Sequence, residues 1–277
     1  MQMTMKNKRF VFFMITILEN ETTAIIVGST DAEICQFSYR SSQLVHHSIA
    51  RCKLTRQLYE KDRMRFIHYY SGITIALFTA VHLFNHLLIL HSEDMHLRFM
   101  SRARRIYRQP AVEAILLSAV FVQIITGIYL VTAKWNVATD LFQKVQIISG
   151  LYLAFFLTVH VRAVMLGRYK LKMDTNLYYG AGVMNMWPQK LFYIPYYSLA
   201  IIAIFFHIAA IHKMKMEKLV SADAAKIQSL IIMATGVVVT FFIIYKMSNL
   251  KSVVKHLPGA EKIQLTSSNI PTDGYQQ

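Results

Sequence analysis

The sequence predicts an all-α integral membrane bundle of five transmembrane helices, on three observations. The 277 residues are 55% hydrophobic and only 16% charged, against roughly a quarter charged in soluble domains. The apolar residues gather into five runs long enough to cross a hydrocarbon core, which takes about 20 residues of helix. These runs lack the alternation of barrel strands, and lipid admits only helices or closed barrels because it leaves no water for unpaired backbone groups.

The spans are read as 66–90, 112–133, 145–166, 191–212 and 227–245, so the bundle occupies 66–245. Residues 1–65 are expected to be a poorly ordered extension, with Met64 beside the beginning of the bundle proper. Within it, 10–18 is apolar and follows Lys6, Lys8 and Arg9 like a short signal-peptide core, yet no small-x-small cleavage site follows. Residues 246–277 read as a polar tail containing Pro258 and Gly259, too poor in apolar residues to bury a core.

With 30 Lys and Arg against 15 Asp and Glu the formal charge is +15. A nucleic-acid protein would carry such a charge on a polar chain with one basic face. Here it falls between apolar runs, so nucleic acid is not an expected partner and lipid headgroups are. Basic residues are similar in number on the two faces, which leaves orientation open. Cys35 and Cys52 form no CxxC, zinc spacing or CxxCH, so any redox cofactor needs other ligands.

Histidine inside a membrane span is costly enough to mark a functional candidate. His68, His82 and His86 lie on the first span, His160 on the third, and His207 and His212 on the fourth. A repeat links two of them: the twelve residues from Ser71 to His82 match those from Ser149 to His160 at six positions. Alternate spans run parallel, and His82 and His160 lie about 24 and 22 Å along theirs at 1.5 Å per residue, which is one depth. Two facing neutral imidazoles can axially ligate a haem iron, with Gly72 and Gly150 giving room for close approach. The alternative is a hydrogen bond across a helix interface. Loop arginines beyond the same helix ends, Arg105 and Arg162 among them, are expected to pair with haem propionates or, alternatively, with lipid headgroups. His86, one turn past His82, is an alternative ligand or an interfacial residue.

A second site is expected toward the opposite face. His68 lies 14 residues before His82, about 320° around the helix and roughly 21 Å away in depth. His207 falls at a similar depth on an antiparallel span. It could ligate a second haem, bind a quinone oxygen, relay a proton or satisfy a neighbour. His212, beside Lys213, reads as interfacial.

Several pieces carry a resemblance over 65–245: Phe66, His68, Ser71 and Gly72 opening the first span, His82 near its end, Glu113 and Gly127 on the second, Gln146, Ser149, Gly150 and His160 on the third, and His207 on the fourth. Together they resemble the dihaem cytochrome b membrane anchors of succinate dehydrogenase and fumarate reductase, five-helix subunits with a ligand histidine on each of the first four helices. By position, the resemblance implies that His82 and His160 ligate one haem b and that His207 is one ligand of a second. The partner of His207 is replaced: four residues before Gly127, where the family has histidine, stands Gln123. That place could instead hold a quinone, lined by His68, Ser71, Gln123 and His207. The arginine-rich segment 96–113 is also similar to small bacterial proteins and to the fungal mitochondrial contact-protein membrane family.

The expected function is a b-type cytochrome passing electrons between membrane quinone and a peripheral partner, in a bacterial inner membrane or a mitochondrial membrane. The chain has no Gly-rich dinucleotide fingerprint, P-loop or cysteine cluster, so flavoprotein and iron–sulfur subunits would supply that chemistry. The alternative is a non-enzymatic membrane adaptor or lipid-homeostasis scaffold of the same fold. A transporter would be expected to show an inverted repeat, and the repeat here is parallel.

Overall fold

The computed structural model describes residues 16–18, 21–26, 35–38, 42–250 and 252, with side chains from Tyr59 onward. The chain divides into two units, Met1–Phe66 and Ile67–Gln277. In the first, strands β1 (Thr16–Leu18), β2 (Glu21–Ile26) and β3 (Cys35–Ser38) pair antiparallel in sequence order. Helix α1 (Ser42–Leu87) begins well before the expected span. Much of the expected N-terminal extension and nearly all of the expected polar tail lie outside the described residues.

The second unit is the helical bundle. After α1 come a single 3-10 turn (Leu88–Leu90), α2 (Glu93–Tyr107), α3 (Pro110–Lys134), α4 (Leu141–Met165), α5 (Leu177–Asn185), α6 (Lys190–Met216) and α7 (Ala222–Ser248). Five stretches are long and apolar enough to cross a membrane: Tyr59–Leu90, Pro110–Lys134, Leu141–Lys170, Lys190–Met216 and Ala222–Ser248. The first span overruns its expected window at the start and the other four at both ends, because the backbone keeps its hydrogen bonds into the polar boundary while side chains turn from apolar to charged. The bundle is all-α and multi-pass.

Helix α6 is its centre: a third of its apolar window is buried, against 6% for α3. It packs on α4 and α7. Ala200, Ala203, Ala209 and Ala210 of α6 and Ala225, Ser229 and Thr240 of α7 are all buried, and small residues let helices approach where lipid gives no hydrophobic drive. Gly236 marks the tightest crossing, since a Cβ there would meet the Cγ of Phe205 at 2.6 Å. At one end, Ile89, Leu177, Ala181, Met184, Ile201, Ile243, Met247 and Leu250 form the apolar core.

Helices α2 and α5 were not among the expected spans. Ser92 caps α2 by accepting from the Met95 amide at 3.1 Å, Glu93 and Asp94 occupy its first turn, and Arg104 and Arg105 its last, each sign matching the helix dipole. A buried histidine fastens α2 to the end of α1. His96 Nδ1–H donates to the Asn85 carbonyl at 2.7 Å, and its Nε2 accepts from Asn85 Nδ2 at 3.3 Å.

Burial holds the His96 imidazole below its ordinary value of 6.5. The unfolded residue therefore binds a proton below about pH 6.5 while the folded one resists it, so the contribution of His96 to stability is intact above that pH and lost as pH falls. Thermal unfolding in detergent should show a midpoint that drops between about pH 7 and 5, with a shallower drop in His96→Phe. At the helix crossing, Gly236→Ala should cost about 1–3 kcal/mol through overpacking, and Phe205→Ala in the same chain should recover part of the lost melting temperature.

Candidate functional site

Phenylalanine and histidine one turn apart form the same pair in both copies of the repeat. On α1, Phe78 stacks on His82, with ring centroids 5.7 Å apart and 15° between planes. On α4, Phe156 stacks on His160 at 5.0 Å and 14°. The i, i+4 spacing puts each pair on one helix face, and the stacking sets the imidazole orientation. The His82 and His160 rings then meet at 64° between planes, with centroids 6.4 Å apart.

That separation suits a bis-histidine haem. An iron about 2 Å from each coordinating nitrogen sets two facing ring centroids roughly 6–6.5 Å apart. The His160 nitrogens make no hydrogen bond among the described residues and are not sealed off. His82 Nε2 meets His86 Nε2 at 3.3 Å, so one of these nitrogens donates and the other accepts. With that edge taken, His82 would have Nδ1 left to offer a metal, or Nε2 after the ring turns. Among the described residues no three His, Cys, Asp or Glu side chains group to hold a metal ion. A haem asks less of the protein, since its macrocycle supplies the equatorial nitrogens and only two axial ligands are needed.

The arginines expected beside this site divide differently from the expectation. Arg105 and Arg162 are exposed, while Arg104, Arg108 and Arg168 are partly buried. Arg104 donates to Asp174 Oδ1 at 2.8 Å and to the Thr175 carbonyl at 2.5 Å, and Arg108 donates to Thr175 Oγ1 at 3.0 Å. Arg168 makes a two-pronged pair with Glu113, at 2.5 and 3.3 Å. The Nε atoms of Arg104 and Arg108 are buried without a hydrogen-bond partner among the described residues. Burial, then the Arg104 and Arg168 charges, push the Arg108 guanidinium down from its ordinary value, as expected where cations crowd together. Tyr107, next to Arg108 in sequence, packs edge-on against Phe78 at 5.4 Å, which ties this cluster to the His82 ring. The helical period alone separates these inward arginines from their outward neighbours, but the sequence does not say which face of α2 meets the bundle.

Three residues of the expected second site converge, and Thr126 joins them. Ser71 Oγ donates to Gln123 Oε1 at 2.6 Å, and Gln123 Nε2 donates to His68 Nε2 at 3.0 Å. His68 Nδ1–H then donates to Thr126 Oγ1 at 2.9 Å. Both His68 nitrogens are thus satisfied. A Cβ on Gly127 would lie 3.2 Å from His68 Cε1, so the room this glycine provides is taken by the His68 ring. A second haem does not fit that arrangement.

His207 belongs to a different contact, on α4. Its Nδ1–H is shared between the Gln146 carbonyl at 3.0 Å and Ser149 Oγ at 3.2 Å. A carbonyl only accepts, so the proton is on Nδ1 and Nε2 carries a lone pair. That Nε2 makes no hydrogen bond among the described residues. The two halves correspond: Ser71 bonds Gln123 as Ser149 bonds His207, and a Cβ on Gly72 would meet Gln123 at 3.3 Å as one on Gly150 would meet His207 at 3.1 Å. Gln123 therefore stands in the first pair of helices where His207 stands in the second. His212 instead pairs with Gln228 Oε1 at 2.9 Å.

The Gln123 network makes a clear stability prediction. Gln123→Leu leaves His68 Nε2 without its donor and should cost about 1–3 kcal/mol, whereas replacing both residues, His68→Leu with Gln123→Leu, should cost less than either orphan implies. Unfolding in mixed detergent micelles measures both. No family model, curated protein or solved structure matches this chain.

Proposed function

We propose that this chain is a b-type cytochrome membrane subunit that holds one haem b between His82 and His160 and serves electron transfer between membrane quinone and a peripheral redox partner. The observation that carries the reading is the facing pair itself: two histidines from a parallel repeat, each braced by a stacked phenylalanine, with ring centroids 6.4 Å apart. The unpartnered nitrogens of His160 add to it, because a polar ring left without a partner in lipid is expensive. The haem, when bound, supplies a one-electron centre whose potential the protein tunes.

The residues have separable tasks in this reading. His82 and His160 would hold the haem iron, and His86 bonds the other nitrogen of His82 and so orients its ring. Arg104 and Arg108, the arginines on the bundle side of α2, would pair with propionate carboxylates in place of Arg105 and Arg162. His207 Nε2, a free acceptor, takes the hydroxyl of a quinol. The His68, Ser71, Gln123 and Thr126 group closes the place of a second haem, so the subunit carries one centre. Flavoprotein and iron–sulfur subunits are the partners this resemblance implies, and a bacterial inner membrane or a mitochondrial membrane is the corresponding location.

The same closed group favours one other reading, a membrane adaptor or lipid-homeostasis scaffold of this fold, because a relay of two haems across the membrane is lost. A dithionite-reduced minus oxidised spectrum with a pyridine haemochrome distinguishes the two. The cytochrome should carry about one haem b per chain with a low-spin spectrum. His82→Ala and His160→Ala should each abolish that spectrum in folded protein, and Gln123→Ala should keep it. Arg104→Gln with Arg108→Gln should lower haem retention several-fold, whereas Arg105→Gln with Arg162→Gln should not. A haem-free, folded protein from haem-replete cells would overturn the cytochrome and leave the adaptor.

A further inference from the structure

A cavity of about 330 Å³ opens where the first and last membrane spans end together, and nothing in the haem reading uses it. Ile89 and Leu250, both buried, give it an apolar floor, and His91, Glu93, Lys246 and Asn249 give it polar walls. Two of those walls carry opposite charge without meeting. Glu93 and Lys246 form no ion pair among the described residues.

The carboxylate is fixed in place. Glu93 Oε2 accepts from Tyr178 at 3.3 Å and from Ser252 at 2.5 Å, leaving Oε1 with no hydrogen bond among the described residues. Asn249 spends its amide N–H groups on the Tyr245 carbonyl at 2.8 Å and Ser248 at 3.3 Å, so its carbonyl oxygen is the part still able to accept. Lys246 is exposed at the last turn of α7. Below it the α7 surface is apolar and open: Phe241, Phe242 and Tyr245 are all exposed. Cation, anion and acceptor thus stand around one hollow at the boundary between hydrocarbon and headgroups, with a lipid-facing apolar strip leading away.

We propose that this cavity binds the headgroup of a zwitterionic phospholipid bearing a primary amine, an ethanolamine phosphate ester. Its ammonium donates to Glu93 Oε1 and the Asn249 carbonyl, its phosphate pairs with Lys246, and its acyl chains run along α7. The chemistry discriminates among lipids. A primary ammonium carries N–H donors for a carboxylate, whereas a choline group has none and is held by cages of Trp, Tyr and Phe; none of those three lines this cavity among the described residues. A glycerol headgroup offers the phosphate but no cation for Glu93.

The test is native mass spectrometry of the full chain released from nanodiscs containing equal parts phosphatidylethanolamine, phosphatidylcholine and phosphatidylglycerol. The ethanolamine lipid should be retained about tenfold over either of the others, a difference of about 1.4 kcal/mol. Glu93→Gln should remove the preference for the amine. Lys246→Gln, at an exposed position, should lower retention of the ethanolamine lipid several-fold with an unchanged melting temperature. Equal retention of the three lipids by the unaltered chain would overturn the proposal, as would an ethanolamine preference that survives both substitutions. The outcome is independent of haem content, so this site stands or falls separately from the cytochrome reading.

Discussion

The bilayer core has no water to offer a polar atom, and the architecture of this protein follows from that constraint. Backbone groups must bond within their own segment, which makes every span a helix. Side-chain hydroxyls obey the same rule: Ser149, Thr126, Ser198, Ser229 and Thr240 all return a hydrogen bond to a carbonyl one turn back, and Ser71 donates to Gln123 instead. Packing cannot be driven by hiding apolar surface, since lipid is as apolar as leucine, so close approach through alanine and glycine does the work instead. That is why α6 and α7, the helices richest in buried small residues, make the tightest crossing.

Imidazoles are harder to satisfy, because each has two nitrogens with different needs. His68, His96 and His207 show three solutions. His68 spends both nitrogens on Gln123 and Thr126, His96 spends both on Asn85, and His207 spends Nδ1 on a carbonyl and keeps Nε2 free. His82 and His86 satisfy one another on one edge, and His86 Nδ1 is buried without a partner. His160 has no hydrogen-bond partner at either nitrogen among the described residues. Among the described residues, the facing pair and His207 Nε2 keep nitrogens without a hydrogen bond that are not sealed off, unlike His86 Nδ1, and a ligand there would gain a bond.

Much of this was legible in residue order. The five spans follow from apolar run length, because the hydrocarbon thickness fixes a helix length and little else competes. The facing of His82 and His160 follows from the repeat, since two copies of one pattern on parallel helices place corresponding residues at one depth. Helix α2 was read as part of an arginine-rich loop, although Ser92 followed by Glu93 and Asp94, with Arg104 and Arg105 closing, is the charge pattern of a capped helix. Its amphipathic face is too polar to register as a span, and hydropathy alone passes over such interfacial helices.

Sequence by itself determined the fold class, the number of crossings and which residue types would be costly to bury, because each depends on local composition measured against a fixed slab of hydrocarbon. Tertiary structure decided which costly atoms found partners. Whether Gln123 bonds His68, whether His207 turns its free nitrogen away from α4, and whether Arg104 and Arg108 or Arg105 and Arg162 face inward all depend on the rotation of one helix against another. A turn of 100° between successive residues exchanges an inward arginine for an outward one, and no local feature of the chain records that angle. The cavity beside Glu93 and Lys246 is more dependent still, since its walls come from residues more than 150 positions apart and exist only once α1 and α7 end at the same level.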